Sequence, residues 1–461
     1  MERKTNKYEK LKRFGEILSE ISDSESLNSS QNKVQTLQHK IRRETIFIVY
    51  RDRKTLKENG KRQDVLNLCE FMLSHKLKKH CNGNGTEVSP KHSAALFHGL
   101  AVIYRKRSPD KIALIKSAIL LNAALSRSPE EEEVQKDLEE LCQHVLDKSD
   151  ARFSKTNLLL TATFTKENID GFRVSIKNQS KGKKIFFDEE LNNYEVEANN
   201  TEDIENLQNK IYEWYCNLMK SLIDYNAFVL GPAPCRYALV GLGSLARKEI
   251  TPYSDFELII LLEEGVQKRK DYNSIVEYFR WFSTIFNIVL VNLGETIVPC
   301  AALTYLNNPY DKEYDWFYDA FTKRGICFDG MFPHASKFPL GRSGASAKPW
   351  KTELIKPVTR MLKHLSGSES LKNGYHLSDI LTCTCFISGD RSIHESFETG
   401  VKSHLDKLLS KLLLQQQLTD DIIKFNAINN LDNVGKKQKR EHEASCLPKF
   451  NFIYCCSWKV S

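Results

Sequence analysis

The stretch from Arg236 to Glu264, RYALVGLGSLARKEITPYSDFELIILLEE, constrains the chain more than any other. Tyr237 to Val240 is β-prone and Gly243-Ser244 follows closely, so a strand is expected to end where backbone must approach something bulky. Glycine leaves the amides unshielded. Those amides and the Ser244 hydroxyl can hold a chain of phosphates, and Arg247 stands near enough to add a charged fork. After the turn Thr251-Pro252-Tyr253-Ser254, the run SDFELIILL reads as an apolar strand that opens on Asp255 and Glu257. Residues two apart on a strand share a face. Two carboxylates beside a phosphate cradle form the arrangement that holds Mg²⁺ for in-line attack on an α-phosphate. A Gly-Ser turn alone is common, and an Asp-x-Glu at a strand edge is usually just solvated; the conjunction carries the weight. Glu249 is read as a partner for Arg247 or for a backbone amide as readily as a participant in the chemistry.

Around this segment the chain divides by composition and periodicity. Residues 1–40 are polar and rich in Ser, Asn, Lys and Glu, and little order is expected there. From 41 to 150, apolar residues recur at three- and four-residue spacing in VLNLCEFMLSHKL, SAALFHGLAVIYRK, KIALIKSAILLNAALSR and EEEVQKDLEELCQHVL, which is a helical signature. Breaks fall at Asn82-Gly83-Asn84-Gly85, Ser108-Pro109-Asp110 and Ser128-Pro129-Glu130, each combining turn formers with a capping residue. Residues 151–200 read as a linker or small β-element, on the alternation in NLLLTATF and KKIFFDEE. A long helix is expected from about Thr201 to Asn226, with Leu207, Ile211, Trp214, Tyr215, Leu218, Leu222 and Ile223 on one side. A helix from Tyr272 to Asn292 is expected to lead into a strand at Gly294 to Val298, and helices at Thr352–Leu365 and His376–Phe386 to close a domain spanning 201–390. In the second of these, Asp379 reads as a cap. Helical segments follow over 391–427, then an irregular tail over 428–461, and we expect the chain to be a piece of a longer protein.

Composition narrows the function classes. The apolar share is 41% and the charged share 27%, and no uninterrupted apolar run approaches the roughly 20 residues that cross a bilayer. The N-terminus MERKTNKYEKLKR lacks the apolar core of a secretory signal, so a cytoplasmic protein without a membrane anchor is expected. The net charge of +8 comes from 67 basic residues interspersed with 59 acidic ones; without a basic stripe, nucleic acid is not expected as a partner. The clusters Lys181–Lys184 and Lys436–Arg440 read as solvated loops. Twelve cysteines are scattered: Cys383 with Cys385, and Cys455 with Cys456, lack the two-residue gap of a zinc grip, and His75, His80 and Cys81 have no second ligand pair. Lys337, Arg342 and His334, in an irregular stretch, could reach phosphates but read more simply as packed or solvated.

Taken together, Gly243-Ser244, Arg247, Glu249, the Pro252 turn and Ser254-Asp255-x-Glu257 resemble the nucleotidyltransferase domain of the bacterial uridylyltransferase that modifies the nitrogen-regulatory protein PII. The resemblance covers about Thr201 to Asp390. It implies an α+β fold, with a mixed sheet flanked by helices, here preceded by an all-α region. It implies that Gly243 and Ser244 form the phosphate loop, that Arg247 and Glu249 are its supporting charges, and that Asp255 and Glu257 are both the metal pair and the catalytic carboxylates. Ala246 stands where the family has glycine, and Glu257 where it has a second aspartate; the extra methylene moves the carboxylate by roughly an ångström. The fold generally adds a third carboxylate, for which Asp329, Asp319 and Glu295 are the candidates, with Asp329 preferred because a β-prone run precedes it. No histidine-aspartate pair of the phosphohydrolase type and no regulatory module accompanies the motif, so controlled removal of the nucleotide is not implied.

The helical region, with Ala94, Gly99, Ala118, Ala123, Ala124 and Pro129, loosely resembles a tetratricopeptide helix pair, although the interval from Gly99 to Ala124 is too long for that repeat. A protein partner bound there is the natural expectation. The reading is therefore transfer of a nucleoside monophosphate, uridylyl by the resemblance, from a nucleoside triphosphate to a protein or small acceptor with Mg²⁺. The alternative is a helical interaction protein whose transferase-like domain binds nucleotide without turning it over.

Overall fold

The computed structural model describes residues 59–81, 89–107, 110–153, 156–180, 185–188, 193–196, 201–308, 311–327, 353–366 and 377–431. Asp329, His334, Lys337, Arg342, Cys455, Cys456 and both basic clusters lie outside them. The helical signature of the first half is realised as α1 (Asn59–Lys79), α2 (Pro90–Lys106), α3 (Lys111–Arg127) and α4 (Glu132–Lys148). Each boundary has a local cause. Pro90 sits at the start of α2, where its missing N–H costs nothing. Asp110 caps α3, accepting from the Ile112 amide at 3.0 Å. Glu132 and Glu133 place negative charge in the first turn of α4. Consecutive helices pack on one another, and α3 is buried nearly all round, from Ala113 to Ala124.

The stretch read as β-like at NLLLTATF is instead the start of α5 (Leu158–Ser180). Asn157 caps it through the Leu160 amide. The two threonines of that stretch, and Thr165 after it, bond back to the carbonyl four residues earlier: Thr161 to Asn157, Thr163 to Leu159 and Thr165 to Thr161. Its buried positions, Leu158, Ala162, Thr165, Ile169 and Ile176, follow helical spacing. The second half of that region is β as expected: β1 (Ile185–Asp188) pairs antiparallel with β2 (Asn193–Val196).

Helix α6 (Thr201–Leu230) buries Ile211, Tyr215, Leu218, Leu222 and Ile223, the face the sequence marks. It leads into β3 (Tyr237–Gly241), the single turn α7 (Gly243–Ala246) and β4 (Leu258–Leu262), which pairs antiparallel with β3 from Tyr237↔Leu262 to Gly241↔Leu258. Helix α8 (Tyr272–Val291) follows. It is long and apolar enough to cross a membrane, yet its apolar residues are consumed by packing: Phe279 meets Tyr237 of β3, Phe286 meets Phe256 at the foot of β4, and the helix contacts α3, α5 and α6. The strand expected at Gly294–Val298 is not formed; Val298–Ala301 makes a 3-10 turn headed by Pro299. Strand β5 (Ile355–Pro357) adds parallel to β4, with α9 (Val358–Leu362) and a 3-10 turn after it.

The expected helix at His376–Phe386 is likewise corrected. Only α10 (Leu377–Ile380) is helical, with Asp379 inside its first turn, and Cys385–Gly389 becomes β6, antiparallel to β3. The β-branched and aromatic run there finds an unpaired strand edge, which outweighs local helical spacing. The sheet order is β5-β4-β3-β6, an α+β arrangement with helices around a small mixed sheet. The described residues up to Val401 form one compact unit whose core runs from Leu66 on α1 to Ile387 on β6. A single helix, α11 (Arg391–Leu431), replaces the several segments expected over 391–427, and it enters a second unit, Lys402–Ser461.

Candidate active site

The site is built where β3 ends and β4 begins. Gly243 has φ +57°, a conformation that disfavours any side chain, and an added Cβ would fall on Glu257 Oε2. The glycine is therefore required twice, for its backbone angle and for the space its neighbour's carboxylate occupies. The Leu242 amide donates to the Glu257 carbonyl at 2.9 Å, which holds the two strand ends together. Phe256 is fully buried between half-buried Asp255 and Glu257, an alternation that follows the two-residue period of extended backbone.

Among the described residues the Glu257 carboxylate has no hydrogen-bond donor and the Ser244 hydroxyl has no partner, while both are partly open to solvent. Arg247 donates to Glu249 at 2.7 Å, and the Glu249 amide donates to the Ser244 carbonyl at 2.8 Å. Glu249 thus serves as the partner of Arg247. Partial burial works against the guanidinium's charge, but the bond to Glu249 and the nearby charges of Glu249, Cys383 and Glu257 more than offset it, so Arg247 is held above its ordinary value.

Asp255 is held differently. Its Oδ1 accepts from the Cys327 amide at 3.3 Å and the Cys327 thiol at 2.9 Å, and the Phe256 amide donates to the Cys327 carbonyl at 2.9 Å. The neighbouring Cys300 thiol, burial and the Asp255 charge together push the Cys327 thiol well up, so it remains protonated. The turn before Asp255 is pinned on two sides. Tyr215 of α6 donates its hydroxyl to the Ser254 carbonyl, and Arg173 of α5 donates to the Pro252 carbonyl at 3.2 Å while lying over the Tyr253 ring. Sequence periodicity marks Tyr215 only as a core residue. Arg173 and Cys327 carry no local signal, although the β-prone run noted before Asp329 contains Cys327.

Two of the three candidates for a further carboxylate have other work. Glu295 is almost fully buried and accepts from Arg173, Lys166 and the Ile326 amide. Burial raises its carboxyl, but the bonds and charges of Arg173 and Lys166 win, leaving it below the usual range. Asp319 pairs with Arg127 at 2.9 Å and accepts from the Val298, Phe321 and Thr322 amides. Among the described residues no group of three or more His, Cys, Asp or Glu is placed to hold one metal ion. The second sheet edge brings in residues the motif does not contain: Cys385 of β6 lies so near Gly241 that a Cβ there would come within 2.8 Å of its sulfur.

The site thus consists of a strand, a glycine turn carrying a serine, and a return strand preceded by two half-buried carboxylates. Residues 194–323 match the family model described as Putative nucleotidyltransferase DUF294. The match spans α6, β3, α7, β4 and α8 and supports a general role in nucleotidyl transfer; the helices α1 to α5 and the strands β5 and β6 lie beyond it. No curated protein and no solved structure matches the chain.

Proposed function

We propose that this site transfers a nucleoside monophosphate from a nucleoside triphosphate to a protein or small acceptor, with Mg²⁺. The observation that carries the reading is the pairing of Gly243 with Glu257: a backbone stripped of its Cβ, with a carboxylate against it that has no protein donor. A half-buried carboxylate that no protein group hydrogen-bonds, with Arg247 acting on it only as a nearby charge, is costly unless an ion completes it. The oxygen donors of Asp255 and Glu257 suit Mg²⁺, which is commonly bound through one or two carboxylates plus substrate phosphates. When bound there, the ion neutralises charge on the phosphates and on the attacking and leaving oxygens. The protein's own share is positional. The Gly243 turn admits the phosphates, the Ser244 hydroxyl and Arg247 are available to their oxygens, and Arg173, Tyr215 and Cys327 keep Asp255 in register. The likeness to the PII-modifying enzyme puts UTP first among the triphosphates, and the helical region is the natural place for a protein acceptor to dock.

One observation favours a second reading, a domain that binds nucleotide without turnover. Glu295 and Asp319 are both committed to ion pairs, so among the described residues two of the candidate carboxylates, Asp255 and Glu257, are left at the site. Both readings are tested together by measuring thermal stabilisation with each of the four ribonucleoside triphosphates, with Mg²⁺ and with EDTA, and by following label from an α-labelled triphosphate into an acceptor. Transfer requires stabilisation that depends on Mg²⁺. Stabilisation without transfer selects the second reading, and equal stabilisation in EDTA removes Asp255 and Glu257 from the role given to them.

A further inference from the structure

Asp255 and Glu257 are equivalent by motif but not by environment. Glu257 has no donor among the described residues, whereas one oxygen of Asp255 is held twice by a single residue distant in sequence. The Cys327 thiol approaches Oδ1 to 2.9 Å and the Cys327 amide to 3.3 Å. Cys327 is itself 1% exposed, and its segment is anchored from behind. The Gly325 amide donates to the Glu295 carbonyl at 3.2 Å, and the Ile326 amide to Glu295 Oε2 at 2.8 Å. Gly325 must be glycine here, because a Cβ would fall on that same carboxylate. Glu295 in turn is gripped by Arg173 and Lys166 of α5. An unbroken set of bonds therefore runs from α5 through Glu295 and the 325–327 segment to one oxygen of Asp255.

Resting on the nucleotidyl-transfer reading, we propose that Cys327 is a positioning residue for Asp255: it occupies Oδ1 and so leaves the other carboxylate oxygen to face cation and triphosphate. A buried thiol suits this task. Its S–H donates, its low polarity tolerates the apolar surroundings, and as a neutral group it leaves the carboxylate's full charge for the metal. Lysine or arginine at the same place would neutralise that charge. The interaction is of the kind that orients a metal ligand from outside the coordination sphere, whose loss typically costs 10–100-fold in metal affinity or activity.

The test compares Cys327→Ala, which deletes the side-chain donor, with Cys327→Ser, which restores one. Each variant and the wild type are titrated with Mg²⁺ in the presence of a non-hydrolysable α,β-methylene triphosphate by calorimetry, and melted without ligand. The wild type should show Mg²⁺-dependent binding. Cys327→Ala should raise the Mg²⁺ half-saturation about tenfold, and Cys327→Ser should lie within about threefold of wild type, with its ligand-free melting temperature near that of the alanine variant. Wild-type-like half-saturation in Cys327→Ala overturns the positioning role alone. Equal weakening in both variants, in proportion to lost melting temperature, overturns it too, by showing that Cys327 only packs. Absence of Mg²⁺-dependent binding in the wild type would sink the transferase reading and this proposal together.

Discussion

In the helical half, buried charges meet charged or polar partners; at the mouth of β4 a carboxylate is left without a donor. Glu70 accepts from Tyr104 at 2.5 Å and Arg107 at 2.6 Å, and His98 meets Asp137 at 2.7 Å. Arg127 and Asp319, whose side chains are wholly buried, pair at 2.9 Å, with the guanidinium also over the Phe97 and Phe321 rings. Glu257 lies against Gly243 with no such partner, and Asp255 has one oxygen held and the other without a partner among the described residues. The same residue types thus serve two purposes. In the helices these charged groups are used to hold elements together, so a substitution should be read out as stability. At the site the unpaired oxygens are reserved, so substitution should be read out in ligand binding and turnover with little effect on folding.

The comparison breaks most sharply at its two extremes. Arg127→Met leaves Asp319 buried and short of its cation, and should lower the free energy of unfolding in urea by about 3–5 kcal/mol; a loss below about 1 kcal/mol would mean that the three backbone amides already satisfy Asp319. Asp255→Asn should do the opposite. It keeps an acceptor oxygen for Cys327 and removes one negative charge, so the ligand-free melting temperature should stay level or rise through relief of repulsion with Glu257. Label transfer from an α-labelled triphosphate should fall on the order of a hundredfold. Unfolding of Asp255→Asn would place Asp255 with the helical pairs.

Two smaller effects sharpen the contrast. Gly243→Ala forces a side chain into a left-handed conformation and onto Glu257, and should cost roughly 1–2 kcal/mol of stability while abolishing Mg²⁺-dependent stabilisation by triphosphate; retention of that stabilisation would free Glu257 from the cradle. The smallest effect concerns Lys356 on β5, which lies 2.8 Å from His364. Burial lowers its ammonium from an ordinary 10.5 to about 8, against the raising influence of Glu353. Between these values the unfolded chain binds more protons than the folded one, so this group's contribution makes stability rise as pH increases from about 8 to 10.5. Because the side chain is partly solvated, a gain of about 1 kcal/mol is expected across that window. It should appear as the difference between wild type and Lys356→Met in unfolding measured at both ends; parallel profiles would dismiss it.

Much of the fold could be read from local pattern because its cause is local. Apolar spacing in α1 to α4, α6 and α8 marks helices whose buried faces are the marked faces, and the glycine turn between β3 and β4 needs no knowledge of distant residues. The misreadings have a common origin. In α5, Thr161, Thr163 and Phe164 imitate a strand, but the threonine hydroxyls are absorbed by carbonyls one turn back. At β6, helical spacing over His376 to Phe386 misleads because Cys385–Gly389 pairs with β3, which lies far earlier in the chain.

By itself the sequence determined where phosphate and metal chemistry could occur: the residues of the cradle and the carboxylate pair lie within one short segment, and a strand's two-residue period places them on one side. The tertiary structure alone decided what each carboxylate does. Glu295 and Asp319 look as available in the sequence as Glu257, yet Arg173, Lys166 and Arg127 close on them from distant helices. Cys327 reaches Asp255 across 72 residues. Whether a buried charge is matched or reserved depends on which donors the packed chain brings within about 3 Å, and that is a property of elements meeting in space, which no spacing along the chain records.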